Sequence, residues 1–323
     1  MQPSARSRDT LKPCSETMMV SHLDSTTSAT RESDPAMPIE NPTSRRVVGP
    51  LERTRVRPFT LRLVLFAVAF AVLDVGGHVL GPVLTYPNPS PLLAYPTLMK
   101  GVAFALLVVA FSAAAFTYLR FEAGLPGDHG AWRGLRFGLA WAGFWLVGGL
   151  EMPLLSGGNA AQEILTAVID ASALLAFLVV TGAHAGRIAP ARLARPNPLN
   201  LTQPVLVVAA AALGRVIANL VSPAAFAGAA PFLDALATVA WSLAVGGVYL
   251  ALRPALGEGG PWRRGARATL AFGVSLLLNV AFLPVFTRVD LLSFLARVGL
   301  TLAFSAAGFI AAEWARQPRP APS

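Results

Sequence analysis

An aspartate followed four residues later by a histidine is the pair in this chain best placed to do chemistry. It lies in "AVLDVGGHVLGP", residues 71–82, where Asp74 and His78 would share one face of a helix. A carboxylate beside an imidazole can orient the ring or relay protons. The surrounding run is apolar from Leu61 onward, so both groups sit where a membrane helix is normally bare. Asp170, Arg215, Asn219 and Arg297 occupy comparable positions inside other apolar runs. A bare charge in hydrocarbon costs roughly 2.5–3.5 kcal/mol on insertion scales. Two acids and two arginines can cancel that cost, because the guanidinium fork matches a carboxylate with two parallel hydrogen bonds. The expected ion pairs are Asp74–Arg215 and Asp170–Arg297, or the crossed arrangement.

Other chemistries find little support. The chain has no HExxH, GxSxG, P-loop or dinucleotide fingerprint. Its four histidines are scattered, and His78 lacks an evident second axial ligand for haem. The single cysteine, Cys14, excludes an intramolecular disulfide and a cysteine-based metal cluster. Ser172, near Asp170, and Ser222 are the only hydroxyls placed to act as an intramembrane nucleophile. No cofactor and no metal site is expected, and an enzyme is the least favoured reading.

The elements that must hold these residues follow from composition. Of 323 residues, 54% are hydrophobic and 13% charged, with mean hydropathy +0.57. A soluble domain carries about 25% charged residues. Apolar stretches near 61–84, 97–119, 133–155, 163–184, 204–222, 232–252, 266–286 and 291–313 each approach the roughly 20 residues that span a bilayer. The expectation is an all-α integral membrane protein with eight transmembrane helices. Residues 1–58 are rich in Ser, Thr, Pro and charge and read as a disordered tail, as do residues 317–323.

The net charge of +9 does not indicate nucleic-acid binding, because the basic residues are spread through short loops. Arg120, Arg133 and Arg136, then Arg187, Arg192 and Arg195, then Arg253, Arg263, Arg264 and Arg267 fall in alternate connections. By the positive-inside rule those loops and both termini are cytoplasmic. Many Ala and Arg residues with only two lysines suit a bacterial plasma membrane protein from a GC-rich genome. The lipid bilayer is the expected partner.

The spans also repeat. At an offset of 131, Tyr118–Leu119 meets Tyr249–Leu250, Arg133 and Arg136 meet Arg264 and Arg267, and Pro153 meets Pro284. At 141, Asp74, His78 and Pro82 meet Arg215, Asn219 and Pro223; at 127, Asp170 meets Arg297. This pattern predicts tandem duplication of a four-helix unit, residues 59–190 and 191–316, with both copies facing the same way.

Along these spans Glu151, Glu163, Asp234 and Lys100 also fall toward the ends opposite the arginine-rich loops. That distribution predicts a polar cavity reaching inward from the outer face, able to bind or transport a small polar or charged solute. The alternative is a structural or partner-binding bundle whose ion pairs only stabilise it.

Overall fold

In hydrocarbon every backbone N–H and C=O must be satisfied within its own segment, so apolar runs fold as helices. The computed structural model describes residues 50–80, 89–156, 159–186, 200–221 and 231–316. The long helices are α1 (Pro50–Leu80), α2 (Pro96–Phe121), α3 (Gly130–Ser156), α4 (Ala160–Ala185), α5 (Thr202–Val221), α6 (Pro231–Leu252) and α7 (Pro261–Ala281). The four-residue α8 (Leu283–Phe286) and α9 (Leu291–Ala315) complete the order, and the described residues contain no strand, only an isolated Pro89–Thr287 bridge. Among the described residues, seven segments are long and apolar enough to cross a membrane, namely α1 from Leu61, α2, α4, α5, α6, α7 with α8, and α9. The chain is therefore an integral, multi-pass membrane protein. Helix α3 has 27 residues but lies outside this set; its glycines, tryptophans, Glu151 and Pro153 make it less apolar.

Helix α1 starts at Pro50, eleven residues before the apolar run at Leu61. The tail expected to reach residue 58 is thus helical from Pro50, a proline being well tolerated in the first turn. The rest of that tail, the terminal residues 317–323, Ser222, and Arg187, Arg192 and Arg195 lie outside the described residues. Pro284 divides α7 from α8, since proline has no N–H to continue the ladder, whereas Pro153 sits within α3. Asp290 caps α9 by accepting the Ser293 N–H at 2.9 Å. The Ser293 hydroxyl and N–H hold this exposed carboxyl below its ordinary range.

The surface carries Leu61, Leu73, Phe116, Leu220, Phe232 and Leu292, each more than half exposed. Such a girdle suits lipid rather than water. The interior is built from alanine and aromatic rings. Phe70, Phe111 and Phe177 meet across α1, α2 and α4, while Phe144, Trp241 and Phe272 meet across α3, α6 and α7.

At one end of the bundle, arginines brace short connections. Arg133 pairs with Glu122 at 3.3 Å, and Arg136 donates to the Pro126 carbonyl at 3.1 Å. Arg264 pairs with Glu313, and Arg267 donates to the Leu256 carbonyl, at positions 131 residues further on. Two 3₁₀ turns, Glu122–Gly124 and Arg253–Ala255, are spaced by the same 131 positions. They touch, so closely that a Cβ on Gly124 would lie 2.6 Å from the Ala255 Cα.

That contact has no room for a methyl group and the obstacle is backbone. Gly124→Ala should destabilise the protein by about 1–3 kcal/mol, read as a lower midpoint of thermal unfolding in detergent. Gly76→Ala, where an added Cβ meets nothing within 4 Å, should not.

Candidate functional site

Two polar clusters sit toward the other end of the bundle. The first lies between α1 and α4. Asp74 and His78 project from one face of α1, and Asp170 faces them from α4. The helices approach closely because Gly77 stands between the two polar positions. A Cβ there would lie 2.8 Å from Ile169 Cγ2, on a β-branched side chain with little rotamer freedom in a helix.

His78 Nε2 lies 2.7 Å from Asp170 Oδ1 and 3.8 Å from Asp74 Oδ2. One ligand atom from each residue falls within 4.8 Å of the other two. Burial separates their roles. The Asp74 side chain is fully buried, whereas those of His78 and Asp170 are 30% and 27% exposed. Neither Asp74 oxygen has a hydrogen-bond partner. Asp170 is ten residues into α4, about 15 Å from that helix's start at 1.5 Å per residue. The cluster thus combines one shielded acid with two groups that can be reached.

The second cluster joins α3, α5 and α9. Glu151 is bridged by Arg215 and by Arg297, the latter at 3.1 Å, and all three side chains are buried. The Arg215 guanidinium also lies 5.2 Å from the centre of the Trp241 ring, within cation–π range. Beside it Asn219 donates from its amide nitrogen to both oxygens of Asp234, at 2.8 and 3.1 Å. Glu151 is five residues from the end of α3, Arg215 six from the end of α5, and Arg297 six from the start of α9. These counts place them in one layer, about 8–9 Å inside the helix ends.

The six polar residues singled out from the sequence thus fall into two groups, and the expected pairings are replaced. Asp74 and Asp170 meet His78 rather than an arginine, while Arg215 and Arg297 share Glu151. Glu151 stands between the two arginines, and His78 stands between the two acids. Glu151 and Asp234 are the partners missing from the expected pairs. Both are acids at the ends of apolar runs, which is the signal that marks them. Ser172 lines an open apolar groove with Leu139, Leu146, Val168 and Leu175, so its neighbours are hydrocarbon rather than a base.

The acid–histidine cluster offers one nitrogen and up to four oxygens as donors, whereas the arginine cluster is closed on itself. No family model, curated protein or solved structure matches this chain.

The clusters should respond oppositely to loss of an acid. Glu151→Gln strands two buried guanidinium groups and should cost about 3–5 kcal/mol. Asp74→Asn removes a buried carboxylate that has no hydrogen bond, and should leave stability within about 1 kcal/mol or raise it. Thermal unfolding in detergent with a chelator present separates these outcomes; equal losses would restore the Asp74–arginine pairing.

Proposed function

We propose that this chain is an eight-span membrane protein, made of two tandem four-span units, that binds a small charged solute at the acid–histidine cluster. The support for tandem units is positional. The 3₁₀ turns, the paired arginines and Pro153 with Pro284 all recur at 131 residues. Helix packing follows suit, with α1 against α4 as α5 is against α9, and α3 against α4 as α7 is against α9. In this reading α3 is the counterpart of α7 with α8, and serves as the eighth crossing. Four crossings per unit give both units the same orientation, related by an axis along the membrane normal. The arginine-braced end and both termini are cytoplasmic by the positive-inside rule. The two polar clusters then lie toward the opposite face of the plasma membrane, and only the acid–histidine cluster is partly exposed.

The observation that carries solute binding is the division of labour between the clusters. Glu151, Arg215 and Arg297 are buried and paired with one another, opposite charge against opposite charge, as in a stabilising network. The first cluster is different, because Asp74 is shielded and unbonded while His78 and Asp170 are partly exposed. Intramembrane acids left in this condition mark ion or solute paths more often than structural contacts. The structural reading of the bundle therefore applies to the arginine layer, and the binding reading to the acids.

Water access decides between them. Cys14 is the only native cysteine, so Cys14→Ser provides a cysteine-free background. In that background Asp170→Cys should react with a membrane-impermeant maleimide added outside intact cells. Glu151→Cys should be protected, as should Phe144→Cys in the aromatic core. Labelling of Asp170→Cys from neither side would show that the cluster is sealed and overturn the binding reading.

A further inference from the structure

We infer that Asp74, His78 and Asp170 form a binding site for a divalent transition-metal ion, which names the solute class of the cluster and rests on its being reachable from water. Three observations lead there. The first is charge. In the deprotonated form that binds a metal the cluster carries two negative charges, in a helix interface where each costs roughly 2.5–3.5 kcal/mol. Both nearby intramembrane arginines are committed to Glu151. A dication cancels the pair of carboxylates and leaves the site neutral.

The second observation is the unsatisfied acid. Asp74 is 1% exposed and neither of its oxygens is hydrogen-bonded. Its Oδ2 faces the same His78 nitrogen that Asp170 contacts from the other side. A buried carboxylate without a donor normally costs stability. A metal ion supplies the positive charge that this oxygen lacks, without any new side chain.

The third is geometry and donor type. Around a tetrahedral ion at about 2.1 Å, ligand atoms lie roughly 3.4 Å apart. The His78–Asp170 and His78–Asp74 separations, 2.7 and 3.8 Å, bracket that value. The third separation is also under 4.8 Å, so one donor from each residue lies close to a common centre. An imidazole with two carboxylates suits Zn²⁺, Mn²⁺, Fe²⁺ or Co²⁺, whereas Ca²⁺ and Mg²⁺ prefer oxygen throughout. Three protein ligands also leave a coordination position for water, which a closed structural site does not. Such a site exchanges its ion more readily than a four-ligand one, as binding during transport requires.

Sequence position explains why the acids were left for a metal. Glu151, which the two arginines share, is matched 131 residues later by Phe282. The charge that occupies this register in α3 thus has an apolar residue as its counterpart at the end of α7.

The test uses the full chain, purified in detergent with a tag that contains no histidine, stripped by a chelator and re-equilibrated with Co²⁺ or Zn²⁺. Wild type should take up about one metal ion per chain by elemental analysis. Bound Co²⁺ should show visible absorption of a low-symmetry nitrogen–oxygen site. His78→Gln and Asp170→Asn should each weaken binding by at least the ~10–100-fold that loss of supporting partners costs. Asp290→Asn, at an exposed helix cap, should bind as wild type does. Because a variant can fail to fold, wild type alone supplies a second readout. Its unfolding midpoint should rise with added Co²⁺ or Zn²⁺ and not with Mg²⁺, since a ligand bound only by the native state stabilises it. Absence of uptake and of any midpoint rise, with Asp170→Cys still labelled from outside, overturns the metal assignment and leaves solute binding standing. Absence of both metal and labelling overturns the two together.

Discussion

Two arginines from different helices converge on Glu151, and this shared carboxylate organises one end of the molecule. Between apolar helices in lipid there is no hydrophobic force to choose one register over another, because lipid tails are as apolar as leucine. Packing and polar contacts must choose it. The Glu151 network fixes α3 against α5 and α9 at a single depth, since a shift of one residue in any helix would move its charge by about 1.5 Å along the axis. Trp241 backs Arg215 from α6, so a fourth helix is held at the same level. Asn219 and Asp234 extend the layer by tying α5 to α6 directly.

Commitment of both arginines to Glu151 leaves the acids of α1 and α4 to one another and to His78. The approach of those two helices depends on Gly77, which permits Ile169 to pack where a side chain would stand. Asp74 is pressed into the interface and Asp170 stays partly open, so the two carboxylates differ in environment though they share a histidine. On the proposed reading, this asymmetry separates a binding site from a structural contact. A purely stabilising cluster would have matched each buried oxygen with a donor.

Much of the architecture was legible in the sequence because a bilayer imposes length. The ends of α2, α3, α4, α6 and α9 fall within a few residues of the expected spans. The start of α1 was not, because the polar segment from Pro50 continues as helix beyond the apolar run, and hydropathy does not report helix in water. Of the polar contacts, the pairing was not legible: Glu151 and Asp234 complete clusters in which the sequence pairs only aspartates with arginines. An offset between two copies finds equivalent positions, and positions related by a two-fold axis lie on opposite sides of it. In the proposed tandem arrangement Asp74 and Arg215 are counterparts rather than neighbours. The contacts observed run instead from each arginine to Glu151 and from each acid to His78.

The two helix pairs that hold these clusters differ in the sign of their charge. Here the α1–α4 pair presents two acids and a histidine, and the α5–α9 pair presents two arginines and an asparagine. Glu151 brings a carboxylate from a third helix to the arginine side, whereas the residue 131 positions further on, Phe282, is apolar and packs its ring against Trp145.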